Sequence, residues 1–465
     1  MRAVRPGLVV FLLALALYAA TTHRRVFSAG NDAARWATIE SIVDHGRMSI
    51  ERSRFAATVD QVRLGDRSYS NKPPALALAG AAVYAGLQKL SGWRLDGGGA
   101  ANVLWIVTIA LVGLPAALMV RSFHGDLERS PGLAPLGRFS WTCALAAGTL
   151  LWPFATTLNG HVPAAALLFW AFLAARNGSA LRSGMLCGLA ASLDLLPGVG
   201  LAPFFGWIAQ REKREQGGGR FGVGFIGVAV VAAAANLAQH GSALPLKMVP
   251  GAIDLSARAG PSLFGVVLPE RASYPLEVLL GWHGLFTVSP VLLFGAAGVW
   301  IASRRATPER TVWRILAFGL LVQVIAHAVL AGSYGGWSYG FRYLLPVHAF
   351  LLLCAPFALE RRKPWVAPAF AGALAVSVLF AALGAYHPWP PAYEQEASKH
   401  PVAALVRNPV GANAAAFLVE HFPDSAGARW ATRRFVSADP EEARVYFALF
   451  FGSKGDLATM RRFAE

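Results

Sequence analysis

Long apolar runs with almost no charged side chains recur along this sequence, and they constrain its fold more than any other feature. Three of the longest cover residues 221–237, 311–331 and 365–385. About twenty consecutive apolar residues cross the hydrocarbon core of a bilayer as a helix, in which each backbone polar group is paired within the segment. Charged residues make up only 15% of the chain, whereas a soluble domain carries roughly a quarter. The sequence therefore predicts an all-α polytopic membrane protein.

These runs predict about eleven transmembrane helices, with connections that alternate between the two sides of the membrane. If the N-terminus is cytoplasmic, every inside connection carries arginine or lysine, as the positive-inside rule requires. The odd number of crossings then leaves the C-terminus outside. The basic start before the apolar run from Leu8 to Ala20 also fits a cleaved signal peptide. The proposed spans lie at about residues 8–22, 101–120, 139–157, 162–176, 181–193, 197–209, 221–239, 284–303, 311–331, 343–359 and 365–385.

The outside segments are unequal in length and divide the chain into two parts. One large outside loop covers residues 21–73, and another covers 240–283. The segment from Ala75 to Leu90 is short for a full crossing, so it lies in the interface or re-enters the membrane from one side. We assign 1–385 to a transmembrane domain with juxtamembrane helices in its first outside loop, and 386–465 to an extracytoplasmic helical tail, whose pattern predicts helices near Ala412 to His421 and Pro440 to Phe451.

The formal net charge of +16 raises the question of an anionic partner. The basic residues form short clusters at the ends of the apolar runs, without a single basic face or a nucleic-acid-binding motif. Attraction to anionic membrane lipids explains this distribution, and no nucleic acid partner is expected. The three cysteines all lie in apolar segments, which favours a packing role over a disulfide framework or a metal site.

The first outside loop begins with a stretch that predicts a helix, GNDAARWATIESIVDHGRMSIE at residues 30–51. Asn31 is a suitable N-cap, and Gly46 is a suitable end. Asp32 and Arg35 then share one helical face near the outer end of the first span, and Arg35 is a candidate for substrate binding. A carboxylate at this place can accept the proton of an incoming hydroxyl, but an acid at a helix N-terminus is also favoured simply by the helix dipole.

The same loop ends in RSYSNKPP at residues 67–74, where two prolines hold the chain extended at the membrane boundary. Lys72 precedes them, and a cation fixed there can bind a lipid phosphate and offset its growing negative charge. A lysine whose ammonium merely reaches the interface is the alternative. Tyr69 in this stretch is a further candidate for substrate binding.

A third cluster lies between two spans on the same predicted side, GSYGGWSYGFRYLLP at residues 332–346. Its aromatic residues, including the substrate-binding candidates Trp337 and Tyr339, also fit an interfacial aromatic belt. Arg342 opens an apolar helix, where a cation is costly unless it meets an anionic partner. We therefore expect Arg342 to bind an anion.

These segments together resemble the membrane-embedded type C (GT-C) glycosyltransferases, near the protein O-mannosyltransferases and the lipid A aminoarabinose transferases. The resemblance implies a GT-C-like fold and a polyprenyl-phosphate sugar as co-substrate. In that family the acid that matches Asp32 is the proposed general base, and the lysine that matches Lys72 contacts the lipid phosphate. The likeness rests on residues 30–51, SNKPP at 70–74, TLNGH at 157–161, GWHGLFTVSP at 281–290 and the cluster at 332–346.

The sequence departs from the family pattern in two places. Ala33 follows Asp32 where many relatives have a second acid, and Asn159 and His161 stand where several carry an acid in another outside loop. No divalent metal is expected, because Mg²⁺ and Mn²⁺ prefer carboxylate oxygens. His161 is a candidate for positioning substrate or for a hydrogen bond at a helix start, and His283 is a further substrate-binding candidate.

Three other polar residues lie in or beside apolar runs. His327 and His348 fall within spans and are expected to be hydrogen-bonded structural residues. Asp194 lies between two short helices, in a turn predicted on the outer side.

The resulting hypothesis is an inverting glycosyl transfer at the outer face of the cytoplasmic (inner) membrane. Asp32 would act as general base, while Lys72 and Arg342 stabilise the departing polyprenyl phosphate. The acceptor, whether glycan, lipid or protein, is not encoded in any recognisable motif. Two alternatives stay open: a lipid or solute transporter, which also uses intramembrane charges, and a non-catalytic membrane assembly protein whose tail recruits partners.

Overall fold

A computed structural model of the chain is mostly α-helical, as predicted, and its few short strands lie in the two large loops that are predicted to lie outside. The membrane part holds eighteen helices among the described residues, and the tail adds three more. The described residues are 6–27, 31–129, 133–212, 216–255, 262–263, 266–267, 274–307, 309–330, 338–359, 363–391 and 409–453.

The helices of the membrane part follow one another through short connections. The first group is α1 (Pro6–Thr21), α2 (Asn31–His45), α3 (Pro74–Ser91), α4 (Ala100–Thr108), α5 (Leu114–Leu127), α6 (Pro135–Ala147), α7 (Leu151–Ala155), α8 (His161–Arg176) and α9 (Ala180–Leu193). The second group is α10 (Leu195–Glu212), α11 (Gly217–His240), α12 (Tyr274–Leu280), α13 (Leu285–Val288), α14 (Leu292–Arg304), α15 (Arg310–Leu330), α16 (Leu345–Cys354), α17 (Pro356–Leu359) and α18 (Val366–Tyr386).

Each proposed span coincides with a helix, or with two helices separated by a short break. Within the described ranges, four helices are long and apolar enough to cross a membrane singly, or five if one bent pair counts as a span. The helices at the other proposed spans are too short or not apolar enough to meet this test, so the number of eleven crossings stays a prediction. The four are Ala100–Leu127, in which a π-helical turn joins α4 to α5, Gly217–His240, Arg310–Val329 and Val366–Tyr386.

The bent pair consists of Tyr274–Val288 and α14, with a bend of 105° between them. Pro290 lies at the break and has no backbone N–H to continue a helix. The next backbone N–H, that of Val291, donates to the hydroxyl of Ser377 on α18 at 3.0 Å. A side chain of a neighbouring helix thus accepts a hydrogen bond from an N–H group that the break leaves without an intrahelical partner.

The helix α2 has the predicted bounds, and Gly46 beyond it has a φ of +64°, a conformation that favours glycine. Its residues are buried from Asn31 through Ser41, and α3 packs against it. A Cβ atom on Gly80 of α3 would lie only 2.5 Å from Cδ1 of Ile39, so glycine permits this close approach. The helix that carries Asp32 is therefore an internal element of the protein.

The two outside loops are joined by a small antiparallel sheet that the sequence analysis does not predict. In the first loop, β1 (Gln61–Leu64) and β2 (Arg67–Ser70) form a hairpin. A strand from the other loop, β3 (Ile253–Asp254), pairs with the free edge of β1. A separate hairpin is formed by β4 (Ser262–Leu263) and β5 (Val266–Val267).

The tail folds into three helices with their own apolar cluster, and two of them lie where the sequence pattern predicts helices. It also contacts the end of the membrane part, because the side-chain amide of Asn413 donates to the carbonyl oxygen of Leu383 in α18 at 2.8 Å, and to that of His387, the residue after α18, at 2.9 Å. The ring of Phe450 lies 4.1 Å from that of His387, centroid to centroid. The helices are α19 (Pro409–His421), α20 (Ala426–Phe435) and α21 (Pro440–Ser453).

Candidate active site

The side chain of Asp32 lies in the first turn of α2 and is 2% exposed. Its Oδ2 accepts a hydrogen bond from the backbone N–H of Phe27 at 3.2 Å. Its other oxygen, Oδ1, is buried and has no hydrogen-bond partner among the described residues. A buried carboxylate oxygen without a hydrogen-bond donor destabilises the folded protein. Such an atom is typical of a side chain that binds a ligand.

Burial raises the pKa of Asp32 to about 7, although the hydrogen bond from Phe27 and the charge of Arg35 both favour the ionised form. A carboxylate with this pKa is partly ionised at neutral pH. It can therefore accept a proton from a substrate and release it again near the operating pH, as a general base must.

Arg35 follows one turn later on the same helix and is 3% exposed. Its Nη1 donates to the backbone oxygen of Asn31 at 2.8 Å and also to the side-chain oxygen of that residue. Its Nε is buried without a hydrogen-bond partner in the described part of the chain. Desolvation lowers the pKa of Arg35 to about 10, which leaves the guanidinium charged at neutral pH.

Lys72 is paired with a carboxylate that the sequence analysis does not single out. Its Nζ lies 2.9 Å from Oδ2 of Asp60, and the Asn71 side chain donates to Oδ1 of Asp60 at 3.1 Å. Burial alone would raise the pKa of Asp60, but Lys72 and Asn71 outweigh it and lower the value to about 2. Desolvation lowers the pKa of Lys72 to about 8, a shift that Asp60 opposes.

His161 connects an acid and a cation from distant parts of the chain. Its Nδ1 lies 2.6 Å from Oδ2 of Asp194, in the turn between α9 and α10. Nε of Arg342 donates to its Nε2 at 3.1 Å. All three side chains are largely buried. The loop before His161 is held by Asn159, whose Oδ1 accepts the backbone N–H groups of His161 and Val162, at the start of α8, at 3.1 and 3.2 Å.

Two aromatic rings lie against the guanidinium of Arg342. Its Cζ is 5.0 Å from the ring centroids of both Tyr343 and Trp389, distances typical of cation–π contacts. Trp389 comes from the Pro-rich stretch after α18, which the sequence analysis assigns to the tail. Its Nε1 is buried and has no hydrogen-bond partner within the described ranges.

These groups form one charged cluster. A Cβ atom on Gly160 would lie 3.2 Å from Nη2 of Arg35 and 2.6 Å from the carbonyl oxygen of Leu193, so α2 and the ends of α8 and α9 meet at this glycine. The positive charge of Arg342 also contributes to the low pKa of Asp60. The cluster brings together Arg35, Asp60, Lys72, His161, Asp194 and Arg342, with Asp32 one helical turn from Arg35.

The other predicted site residues lie at the edge of this cluster or outside it. Tyr69 packs in the hairpin with Val62 and faces the ring of His240 at 6.4 Å. The hydroxyl of Tyr339 donates to the Phe380 carbonyl at 2.6 Å, which ties it to α18. The carbonyl of His283 accepts the Phe341 N–H, next to Arg342. Trp337 lies outside the described residues.

The two buried histidines of the spans differ from each other. His327 is hydrogen-bonded to Gln323 at 2.9 Å, as expected, and its ring stacks on Tyr343. His348 is buried, but neither of its ring nitrogens has a partner in the part of the chain that the structure describes. Within the described ranges, the prediction that His348 is hydrogen-bonded is therefore wrong.

Sequence reasoning missed Asp60 and did not link Asp194 to any partner. Asp60 lies twelve residues before Lys72 in the same outside loop, and a carboxylate near a functional lysine is the signal that points to it. Trp389 is one of several tryptophans and carries no such signal. Among the described residues, no group of three or more His, Cys, Asp or Glu side chains is placed to hold a metal ion.

No protein-family model and no curated protein matches this chain. Solved structures, however, are similar over nearly all of it. ArnT from Cupriavidus metallidurans bound to undecaprenyl phosphate aligns with 98% of this chain and 77% of its own, at 16% identity and a TM-score of 0.50. The apo state of that protein aligns with 98% and 74%, at 16% identity and a TM-score of 0.51. The chain therefore has the fold of these ArnT structures, which agrees with the GT-C-like fold that the resemblance in its sequence implies.

Proposed function

We propose that this chain transfers a sugar from a polyprenyl-phosphate donor to an acceptor hydroxyl. The observation that carries the proposal is the convergence of Arg35, Lys72 and Arg342, three cations from separate segments, in one largely buried cluster. Guanidinium and ammonium groups form charge-assisted hydrogen bonds with phosphate oxygens, so three such groups at one place suit the head group of a sugar phosphodiester.

The donor class follows from the membrane setting of this cluster. A cationic site in a chain of apolar helices suits a phosphate carried on a lipid, because the prenyl tail remains in the hydrocarbon while the head group reaches the cations. The fold is similar to that of ArnT, a structure of which is bound to undecaprenyl phosphate. We place the site at the outer face of the cytoplasmic membrane, with the N-terminus cytoplasmic and the C-terminus extracytoplasmic.

The reaction is a single displacement with inversion. The acceptor oxygen attacks the anomeric carbon opposite the phosphate, and its proton passes to the unpartnered Oδ1 of Asp32. The bond between the anomeric carbon and the phosphate oxygen breaks, and its electron pair leaves with the polyprenyl phosphate. Lys72 and Arg342 stabilise the charge that develops on this leaving group.

The decisive experiment is a transfer assay with the Asp32→Asn variant in membranes, using labelled undecaprenyl-phosphate sugars as donors. The change keeps the shape of the side chain and removes the base, so transfer falls by roughly 10²- to 10⁴-fold. Asp66→Asn is the matched control, because Asp66 is an exposed acid in the same outside loop. Undiminished transfer by Asp32→Asn would remove Asp32 from the mechanism. Wild-type protein that transfers none of the donors tested would count against the proposed donor class.

A further inference from the structure

Asp194 is largely shielded from water, and its Oδ2 lies 2.6 Å from Nδ1 of His161. We infer that Asp194 is a positioning residue that orients Arg342 through His161, so that Arg342 can bind the phosphate of the lipid donor. This inference rests on the proposed function, since it assigns a task to a side chain of the same site.

The hydrogen bonds fix which nitrogen of His161 carries the proton. A guanidinium only donates hydrogen bonds, so Nε2 of His161, which receives Nε of Arg342 at 3.1 Å, must be unprotonated. The proton of the neutral ring is then on Nδ1, from where it donates to the Asp194 carboxylate at 2.6 Å. The carboxylate selects this tautomer, and the tautomer supplies the acceptor that Arg342 needs.

The tautomer of His161 matters because its hydrogen bond holds the guanidinium of Arg342 in one orientation. Bonding of Nε to His161 fixes one edge of the planar guanidinium, and the rings of Tyr343 and Trp389 lie against it at 5.0 Å. An arginine side chain loses considerable rotamer entropy when it is held in one orientation. Because the protein already holds Arg342 in this orientation, binding of the ligand does not carry that entropy cost.

The chain brings the acid and the histidine together through a glycine. Any Cβ on Gly160 would collide with the carbonyl oxygen of Leu193, at 2.6 Å, directly before Asp194. Glycine therefore lets the start of α8 approach the end of α9 until His161 reaches Asp194. The TLNGH loop itself contains no carboxylate. In this chain Asp194, at the end of a neighbouring helix, supplies one to His161.

The test measures binding of undecaprenyl phosphate to the purified full chain in detergent, which requires neither a sugar nor an acceptor. Asp194→Asn weakens binding about 10- to 100-fold, the loss of one hydrogen bond to a charged group. The amide of the substituted side chain can donate to Nδ1 of His161. It then favours the tautomer in which Nε2 carries the proton, and this nitrogen can no longer accept a hydrogen bond from Arg342. Asp126→Asn is the control, because Asp126 is a buried acid paired with Arg176 away from the cluster.

A second variant separates positioning from a general loss of structure. His161→Gln keeps a side-chain oxygen as acceptor for Arg342 without a tautomer to select, so adding Asp194→Asn to it has little further effect. Equal losses from Asp194→Asn in both backgrounds, or no loss in the wild-type background, would overturn the inference. If Arg342→Ala and Lys72→Ala also leave binding unchanged, the proposed phosphate site itself fails. If those two weaken binding and Asp194→Asn does not, only the positioning role is lost.

Discussion

Lys72 Nζ lies 2.9 Å from Asp60 Oδ2, so the cation that we propose for the lipid phosphate has an anionic partner within the protein. The pair is largely shielded from water, with each side chain 16% exposed. An ammonium without a nearby anion would be costly at such a place. Asp60 therefore favours the charged form of Lys72 and holds its ammonium group in place.

This pairing predicts different outcomes for single and double substitutions. Lys72→Ala weakens binding of undecaprenyl phosphate about 10- to 100-fold, because one charge-assisted contact is lost. It also lowers thermal stability, since the carboxylate of Asp60 is left without its cation. Adding Asp60→Asn restores stability but not binding. Lys89→Ala, at an exposed lysine of α3, is the control and changes neither quantity. Normal binding by Lys72→Ala would contradict the assignment of Lys72.

The pKa values of Asp32 and Lys72 predict a bell-shaped dependence of kcat/KM on pH. Asp32 must lose its proton to act as base, so activity rises as the pH passes about 7. Lys72 must keep its proton to bind the phosphate, so activity falls above about 8. Steady-state transfer rates across this range, measured with the donor below its KM, report both groups in the free enzyme.

Lys72→Arg tests the assignment of the alkaline limb. A guanidinium remains charged far above the pKa of a lysine, so this variant moves the alkaline limb to higher pH and leaves the acid limb in place. An acid limb near pH 4, the ordinary range of a carboxyl group, would contradict the raised pKa of Asp32.

The contact between Trp389 and Arg342 predicts that the stretch after α18 is needed for donor binding. Trp389→Ala removes a ring that lies 5.0 Å from the guanidinium and weakens undecaprenyl phosphate binding about 2- to 30-fold. Trp389→Phe keeps a ring at this place and retains most of the affinity. Trp430→Ala is the control, because Trp430 is a 61% exposed tryptophan of the tail. Unchanged binding by Trp389→Ala would restrict the site to residues before 387.

Close packing of α9 against α11 predicts a stability effect far from the charged cluster. A Cβ atom on Gly224 would lie 2.3 Å from the carbonyl oxygen of Leu181, so Gly224→Leu forces the helices apart. Overpacking of this kind costs about 1–3 kcal/mol or more, seen as a lower thermal unfolding midpoint in detergent. Gly227→Leu, on the same helix with no atom within 4 Å of its Cβ position, leaves the midpoint nearly unchanged. Equal midpoints for both variants would refute the packing argument.

The sequence predicts correctly those features that depend on neighbouring residues. The bounds of α2 follow from Asn31 and Gly46, and helices lie at all the apolar runs, because backbone pairing in a helix is local. The candidate site residues Asp32, Lys72 and Arg342 were found from their chemistry and from a resemblance in short motifs. Their roles remain predictions that the experiments above address.

The contacts between distant segments could not be predicted in this way. Arg342 and His161 are 181 residues apart, and no local pattern encodes their hydrogen bond. The pairing of β3 with β1 and the ion pair of Asp60 with Lys72 likewise depend on how two loops fold over the helices.

By itself the sequence determined that this protein lies in a membrane as a set of helices, because apolar length and backbone pairing decide that locally. Only the tertiary structure decided which charges meet, since burial far from water makes each charge depend on partners that the chain supplies from elsewhere. The Asp194–His161–Arg342 contacts and the Asp60–Lys72 pair are the result of that requirement.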